Sequence, residues 1–310
     1  DFAGGGLASL EGLPTVGAVI GGSDVERVTR LVGALTATAL ERAERFSAAH
    51  AETLVQYRSN SGDASEARII VLLDGMAAFR SDYEFRNSGR LFEKVLKLVA
   101  IGRQVGIHFL ITADRAAAFP SAMLANIQTK IVLRLAGEME YSVLGVPADV
   151  LLDASPGRGL SGGHEIQFAI VGGKTDLIRQ ADAIRSRADA LRATTVAPAP
   201  EIERLAEFIP ASTLPPSVDG NPTIGVSDET LQPVGIRLEG LFVVSGPFGS
   251  GRTTAMTTII RSASANCPEL ESYLIVARRS ALAGAVAWNA VSRDAEEAEQ
   301  LASRLAVQLE

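Results

Sequence analysis

The sequence predicts an α/β protein: a mostly parallel β-sheet flanked by helices, present as parts of two tandem domains. Three observations carry this. Runs that are apolar throughout (69–73, 106–112 and 131–135) alternate with amphipathic helical segments, and strands apolar on both sides belong in a sheet covered on both faces. The chain has 310 residues, long enough for about two domains at roughly 150 residues each. A helical stretch beginning at Asp24 aligns with one beginning at Asp294, an offset of 270 residues, far beyond any solenoid period and close to one large domain.

Taken in order, Ser23-Asp24-Val25-Glu26 reads as a capping box with Ser23 as N-cap and Glu26 reaching back. Val28, Leu31, Val32 and Leu35 then fall on one helical face. A polar loop at 59–63 leads to the strand Ile69-Ile70-Val71-Leu72-Leu73, which ends at Asp74-Gly75. Leu91, Val95, Leu98 and Val99 mark a second amphipathic helix before the strands at 106–112 and 131–135. Segments 157–160 and 165–171, joined through Ser161-Gly162-Gly163, predict a hairpin at the sheet's edge, and a helix near 174–193 closes the first unit. Prolines at 198, 200, 210, 215, 216 and 222 mark a linker. A fresh strand at 241–244 enters a glycine-rich turn and a helix, and Tyr273-Leu274-Ile275-Val276 is the next strand. The expected boundaries are 1–195, a linker at 196–232, and 233–310.

Composition limits the function classes. Apolar residues make up 47% and charged residues 21%, so a packed core forms. A net charge of −7 disfavours a surface that coats nucleic acid, although a narrow basic stripe is compatible with it. The single cysteine, Cys267, has no intrachain partner for a disulfide and fits a reducing compartment. His50, His108 and His164 are too scattered for a zinc site.

Two motifs carry chemistry. Gly246-Pro247-Phe248-Gly249-Ser250-Gly251-Arg252-Thr253 is a Walker A pattern, G-x-x-x-x-G-K-[ST], with arginine in place of lysine. Its glycines let successive N–H groups turn inward around phosphate oxygens, and the following helix start, with Thr254, adds its amides. Thr253 is placed to put its hydroxyl on Mg²⁺, and Arg252 to face the β- and γ-phosphates of ATP. A guanidinium is broader than an ammonium, so the motif predicts nucleotide binding with slow hydrolysis. Ile69–Leu73 followed by Asp74 is a Walker B pattern, a strand delivering a carboxylate towards Mg²⁺. Gly75 stands where an active motor carries a second acid, so general-base help worth roughly 10²–10⁴ in rate is missing. Arg103 and Arg115, flanking the 106–112 strand, are the first candidates for an arginine finger acting on a neighbour's γ-phosphate.

These residues resemble a known family. Asp1-Phe2-Ala3-Gly4-Gly5 resembles the D-x-K-G-G stretch of FtsK/SpoIIIE ATPase domains, and Leu13-Pro14-Thr15-Val16 their L-P-H-V element. The run from Gly102 to Arg115 resembles the family's G-R-x-x-G-I-H-L segment, and Pro156-Gly157-Arg158-Gly159 with Glu165-Ile166-Gln167-Phe168-Ala169 its closing hairpin. Asp74-Gly75-Met76 and Gly251-Arg252-Thr253-Thr254 are similar to the degenerate later domains of EccC-like type VII secretion motors of actinobacteria. The resemblance implies a RecA-like P-loop NTPase fold, ATP and Mg²⁺ as cofactors, and tandem ATPase domains in a homo-oligomer such as a hexamer. It also implies anchorage at the cytoplasmic side of the membrane through other parts of the protein, and a secreted protein's signal peptide as a partner. Arg252, Gly75 and Asp114 depart from the family pattern and put hydrolysis in doubt, not the fold. The chain opens without a methionine, on residues that read as mid-domain, so it is expected to be a segment holding the back of one ATPase domain and the front of the next. Asp74 and the 246–254 loop are then expected in different nucleotide sites. Two other readings stay open: a DNA-translocating motor domain, and a vestigial scaffold that binds no nucleotide.

Overall fold

The computed structural model describes residues 1–147, 149–151, 153–194, 197–276 and 280–309, the last two by backbone only. It divides into two compact units, Asp1–Arg204 and Leu205–Glu310.

The first unit is built around a long helix, α1 (Val25–Ala48), whose Val28, Val32, Leu35, Ala39 and Phe46 are buried. Its N-cap is Asp24, which accepts from the Arg27 N–H, and not Ser23 as the capping-box reading had it. The reason is local: the Glu26 carboxylate that would complete a box at Ser23 is held one turn on by Arg30 at 2.6 Å. Thr53 caps α2 (Leu54–Ser61), a helix that overlaps the segment expected to be loop; Gly62 closes it in the left-handed region at φ 72°. Tyr57 of α2 stacks on Phe46 with ring centroids 4.5 Å apart, which gives this weakly periodic segment its reason to be helical.

β1 (Ile69–Leu73) then pairs in parallel with β2 (Ile107–Ile111), Leu73 opposite Ile111. Between them run α3 (Met76–Tyr83) and α4 (Arg90–Ile101), the crossover a parallel pair requires. Met76, Phe79 and Tyr83 from α3 and Phe92, Val95 and Leu98 from α4 fill the core with one face of the sheet. Arg42 braces the start of both strands from within this core. Its side chain is 4% exposed, donates to the carbonyls of Val105 (2.9 Å) and Ala67 (2.8 Å), and pairs with Glu66 at 2.6 Å.

After α5 (Ser121–Leu124), the strand β3 (Ile131–Leu133) and helix α6 (Glu138–Leu144) lead to β4 (Arg158–Ser161) and β5 (His164–Gln167). These strands form an antiparallel sheet in the order β3-β4-β5, over a small core of Val132, Tyr141, Leu151 and Leu160. Gly162 and Gly163 join β4 to β5 with φ of 57° and 82°, the two positive values a tight hairpin turn of this kind needs. α7 (Leu177–Arg192) starts at Asp176, which accepts from the N–H groups of Ile178 and Arg179.

The stretch read as a linker is divided between the two units. The N–H of Ala199 donates to Pro14, Arg27 donates to the Ile202 carbonyl, and Arg204 pairs with Asp24 at 2.8 Å, so the chain to 204 is tied back onto the first unit. Its later part forms β6 (Ser217–Val218) and most of an antiparallel sheet with β7 (Asn221–Val226) and β8 (Pro233–Gly235). Most prolines in this stretch lie outside strands, and Pro222 is the second residue of β7.

In the second unit α8 (Arg252–Asn266) buries Ala263, β9 (Tyr273–Ile275) pairs in parallel with β10 (Ala290–Ser292), and α9 (Ala295–Leu309) buries Leu301. Residues 241–244, expected as a strand, are not paired with any strand among the described residues; Leu241 is 92% and Val243 80% exposed. An apolar run becomes a sheet strand only when a neighbour accepts its N–H and C=O groups, and no described strand lies beside this one. Among the described residues no helix is long and apolar enough to cross a membrane.

Candidate functional site

The Walker B strand does deliver its carboxylate to the carboxyl end of the parallel pair. Thr112 extends the ladder by one residue, its N–H donating to Leu73 at 3.0 Å and its carbonyl accepting from Met76 at 2.9 Å. That places the Thr112 hydroxyl beside Asp74, where it donates to Oδ1 at 2.5 Å while accepting from the Gly75 N–H at 3.0 Å. Thr112 therefore fixes the rotamer of Asp74. The sequence reading saw Thr112 only as the end of a strand; its role follows from the register Leu73↔Ile111, which no single-chain pattern specifies.

A glycine loop lies over the same edge. The Asp1 carboxylate accepts from the N–H groups of Ala3, Gly5 and Leu7, curling the chain through Gly4 and Gly5 at φ 111° and 90°. Phe2 donates its N–H to the Asp74 carbonyl at 2.8 Å and sets its ring edge-on to Phe79 and Tyr83. The open cleft beside this loop, about 490 Å³, is lined by Asp1, Glu11 and Asp82. Three carboxylates repel a polyphosphate, so the cleft carries no nucleotide reading.

Gly75 is more than a missing acid. Its backbone has φ 90° and ψ 63°, and a Cβ placed there stands 3.0 Å from the Phe2 carbonyl carbon and 3.1 Å from the Ala3 nitrogen. Both the conformation and the space disfavour a side chain.

The two candidate arginines are separated. Both are exposed, but Arg115 follows β2 at the carboxyl end, the Asp74 end, whereas Arg103 precedes it. Five strand residues at about 3.3 Å each put them roughly 16 Å or more apart along the sheet. They therefore lie at opposite ends of β2.

In the second unit the Walker A residues form a turn that enters α8 directly. Ser250 donates its N–H to Pro247 at 3.2 Å, and Gly249 and Gly251 take φ of 82° and 86°. A Cβ on Gly246 would stand 2.4 Å from the Ser250 hydroxyl and 3.0 Å from its Cβ, so a side chain there would crowd Ser250. Gly251 is the N-cap and gives the helix no side-chain acceptor, which leaves the first-turn amides of Arg252, Thr253 and Thr254 directed out of the helix start. All three side chains are exposed, as are Pro247 and Phe248. This donor set fits a phosphate: a glycine-rich curl, uncapped amides at the positive end of a 15-residue helix, one cation and the Thr253 hydroxyl. Asp74 lies in the first unit and this loop in the second.

Comparison with known proteins decides the family. The family model described as FtsK/SpoIIIE matches residues 1–170, more than half of the chain. The chain belongs to the FtsK/SpoIIIE family. Among its relatives, an ESX secretion system protein EccC from Thermomonospora curvata is 26% identical over 272 residues, covering 84% of this chain and 20% of that protein. The ESX-1 secretion system protein EccCb1 of Mycobacterium tuberculosis is 25% identical over 339 residues, covering all of this chain and 56% of its own length. The chain thus spans between a fifth and about half of these relatives. Among solved structures, Thermomonospora curvata EccC (ATPases 2 and 3) in complex with a signal sequence peptide superposes with a TM-score of 0.79, 22% identity, and coverage of 98% of this chain and 57% of that one. EssC (ATPases 2 and 3) from Geobacillus thermodenitrificans gives a TM-score of 0.69 at 20% identity, covering 100% of this chain and 61% of that one. At such identities the structural likeness establishes the fold, which is the RecA-like P-loop α/β fold. As an FtsK/SpoIIIE-family ATPase domain of EccC-like kind, the chain has type VII secretion ATPases for its relatives.

Proposed function

We propose that this chain is an ATP-binding, regulatory and weakly hydrolytic module of a type VII secretion-like export motor. The observation that carries the reading is the Walker B edge, where Asp74 is held by Thr112 but the following position is a glycine whose backbone and neighbours disfavour a second acid. A site of this kind holds Mg²⁺ and nucleotide without a base to activate water. In the second unit Gly246, Pro247, Phe248, Gly249, Ser250, Gly251 and the first-turn amides would cradle the phosphates of ATP, with Arg252 supplying charge and Thr253 a hydroxyl for Mg²⁺. ATP and its Mg²⁺ supply only phosphoryl-transfer chemistry; the chain supplies the cradle.

The partners that follow are further ATPase domains of the same protein, other copies of it in a homo-oligomer such as a hexamer, and the signal peptide of a secreted protein. The last rests on the EccC structure that was solved with a signal sequence peptide. Placement at the cytoplasmic face of a membrane, through segments outside this chain, belongs to the same proposal.

Calorimetric titration of Mg-ATP tests it. Wild type should bind, Thr253→Ala should bind at least about tenfold more weakly, and phosphate release should stay near background. No heat in either protein would favour the vestigial scaffold instead.

A further inference from the structure

The chain is acidic overall, yet one helix face is not. Arg90, Lys94 and Lys97 line the exposed side of α4 at i, i+4 and i+7, spanning about 10 Å. Arg86, just before the helix, and Arg103, just after it, extend this stripe, and Glu93 is the one acid among them. Arg90, Lys94, Lys97 and Arg103 make no ion pair with any described residue, while Arg86 rests on the Tyr83 ring at 5.7 Å. Two exposed apolar side chains bracket the row, Phe85 at 84% and Ile101 at 45% exposure.

The complementary surface is the start of α9. Asp294, Glu296, Glu297 and Glu299 are four acids within six residues, all exposed. Asp294 and Glu297 are engaged with the helix's own amides, but Glu296 and Glu299, one turn apart on the same side, pair with nothing among the described residues. Their spacing matches that of Lys94 and Lys97.

We infer that the α4 stripe of one copy of this chain docks the acidic first turns of α9 on a second copy. A polyanion such as duplex DNA is a poorer occupant: the chain's net charge is −7, and Glu93 interrupts the stripe. Because the two surfaces are different patches, the contact is heterologous and leaves one copy of the pair with an open basic face and the other with an open acidic one, so association continues beyond two. The inference deepens the homo-oligomer part of the proposed function and rests on that part. It needs no nucleotide, so its failure is separable from a failure to bind ATP.

Sedimentation velocity of the whole chain over a range of concentrations, with and without Mg-ATP, tests it. Association should be weak, concentration-dependent and reduced at least about tenfold when salt rises from about 50 to about 500 mM. Lys94→Glu/Lys97→Glu and Glu296→Lys/Glu299→Lys should each lose self-association while keeping the wild-type circular dichroism spectrum, since all four side chains are exposed. Mixing the two variants should restore it, because reversed stripe then meets reversed acid. A chain that stays monomeric, an association untouched by either reversal, or one not recovered on mixing overturns the contact. So does duplex DNA binding through Lys94 and Lys97 without self-association.

Discussion

Replacing Gly75 by alanine asks whether the Walker B edge excludes a side chain by conformation or merely lacks one. The backbone there has φ 90° and ψ 63°, which costs an L-residue about 1–2 kcal/mol. The added methyl also meets backbone at 3.0 and 3.1 Å and the Ala3 methyl carbon at 3.2 Å. Phe2 cannot retreat freely, because its N–H bonds Asp74 and its ring lies against Phe79 and Tyr83. Overpacking against such a fixed neighbour costs about 1–3 kcal/mol. Gly75→Ala should therefore destabilise the first unit by about 2–5 kcal/mol.

Urea unfolding read by circular dichroism reports both units, while Trp288, the only tryptophan, reports the second unit by fluorescence. The loss should appear in the first signal and not in the second. Gly33→Ala is the control: it lies inside α1 with nothing within 4 Å of the new methyl, and should stabilise by about 0.5–1 kcal/mol. Gly75→Glu should unfold as readily as Gly75→Ala and gain no ATP turnover, although it writes the missing acid back into the sequence. A loss below about 0.5 kcal/mol for Gly75→Ala, or phosphate release from Gly75→Glu above wild type, would refute the steric account.

Further outcomes follow from other contacts. Arg42→Met should destabilise the first unit by about 1–3 kcal/mol, since it leaves the buried Val105 carbonyl without its donor and takes one of the two arginines from Glu66, Arg45 remaining at 2.7 Å; chemical denaturation reads it. Asp74→Asn should leave Mg-ATP affinity at the 246–254 loop within about twofold of wild type if the two motifs serve different sites, whereas an effect as large as that of Thr253→Ala would join them in one. Burial holds the Tyr83 phenol above its ordinary value of 10.0, so the folded state resists the ionisation that the unfolded chain undergoes. Its contribution is complete below that ordinary value and is lost as pH rises through the folded one; Tyr83→Phe should flatten the alkaline fall in stability above about pH 10.

What could be read from the sequence divides along a physical line. Local periodicity and punctuation placed β1, β2, α1, α4 and the β4–β5 hairpin, because each is specified by its own residues: an apolar run, a stripe at 3.6, a pair of glycines. The α1 cap was misplaced by one residue because Ser23 and Asp24 both cap well, and the choice depends on Glu26 being drawn to Arg30. α2 was missed because its helicity comes from Tyr57 stacking on Phe46, a contact that no window of sequence contains. The strand at 241–244 failed for the opposite reason. Its propensity was right, but a strand is a relation between two segments, and the described residues offer no partner.

The site shows the same division. Asp74 and the glycines at 249 and 251 declared themselves by type and spacing, since carboxylate after an apolar run and glycine at positive φ are local demands. Thr112 and the crowding at Gly75 did not, for both arise where segments distant in sequence meet: Thr112 reaches Asp74 across the β1–β2 register, and Phe2 closes over Gly75 from the other side. This bears on the weak hydrolysis proposed above. Read as sequence, glycine after Asp74 is one substitution away from an active site. In the fold that glycine also lets the Asp1–Gly6 loop settle against α3 and the Asp74 carbonyl, so recovering a base requires the loop to move, and the loop is held by four hydrogen bonds from its own aspartate and from Phe2. On the proposed reading, an acid introduced at position 75 alone is strained and displaces that loop, so a single change there does not restore hydrolysis.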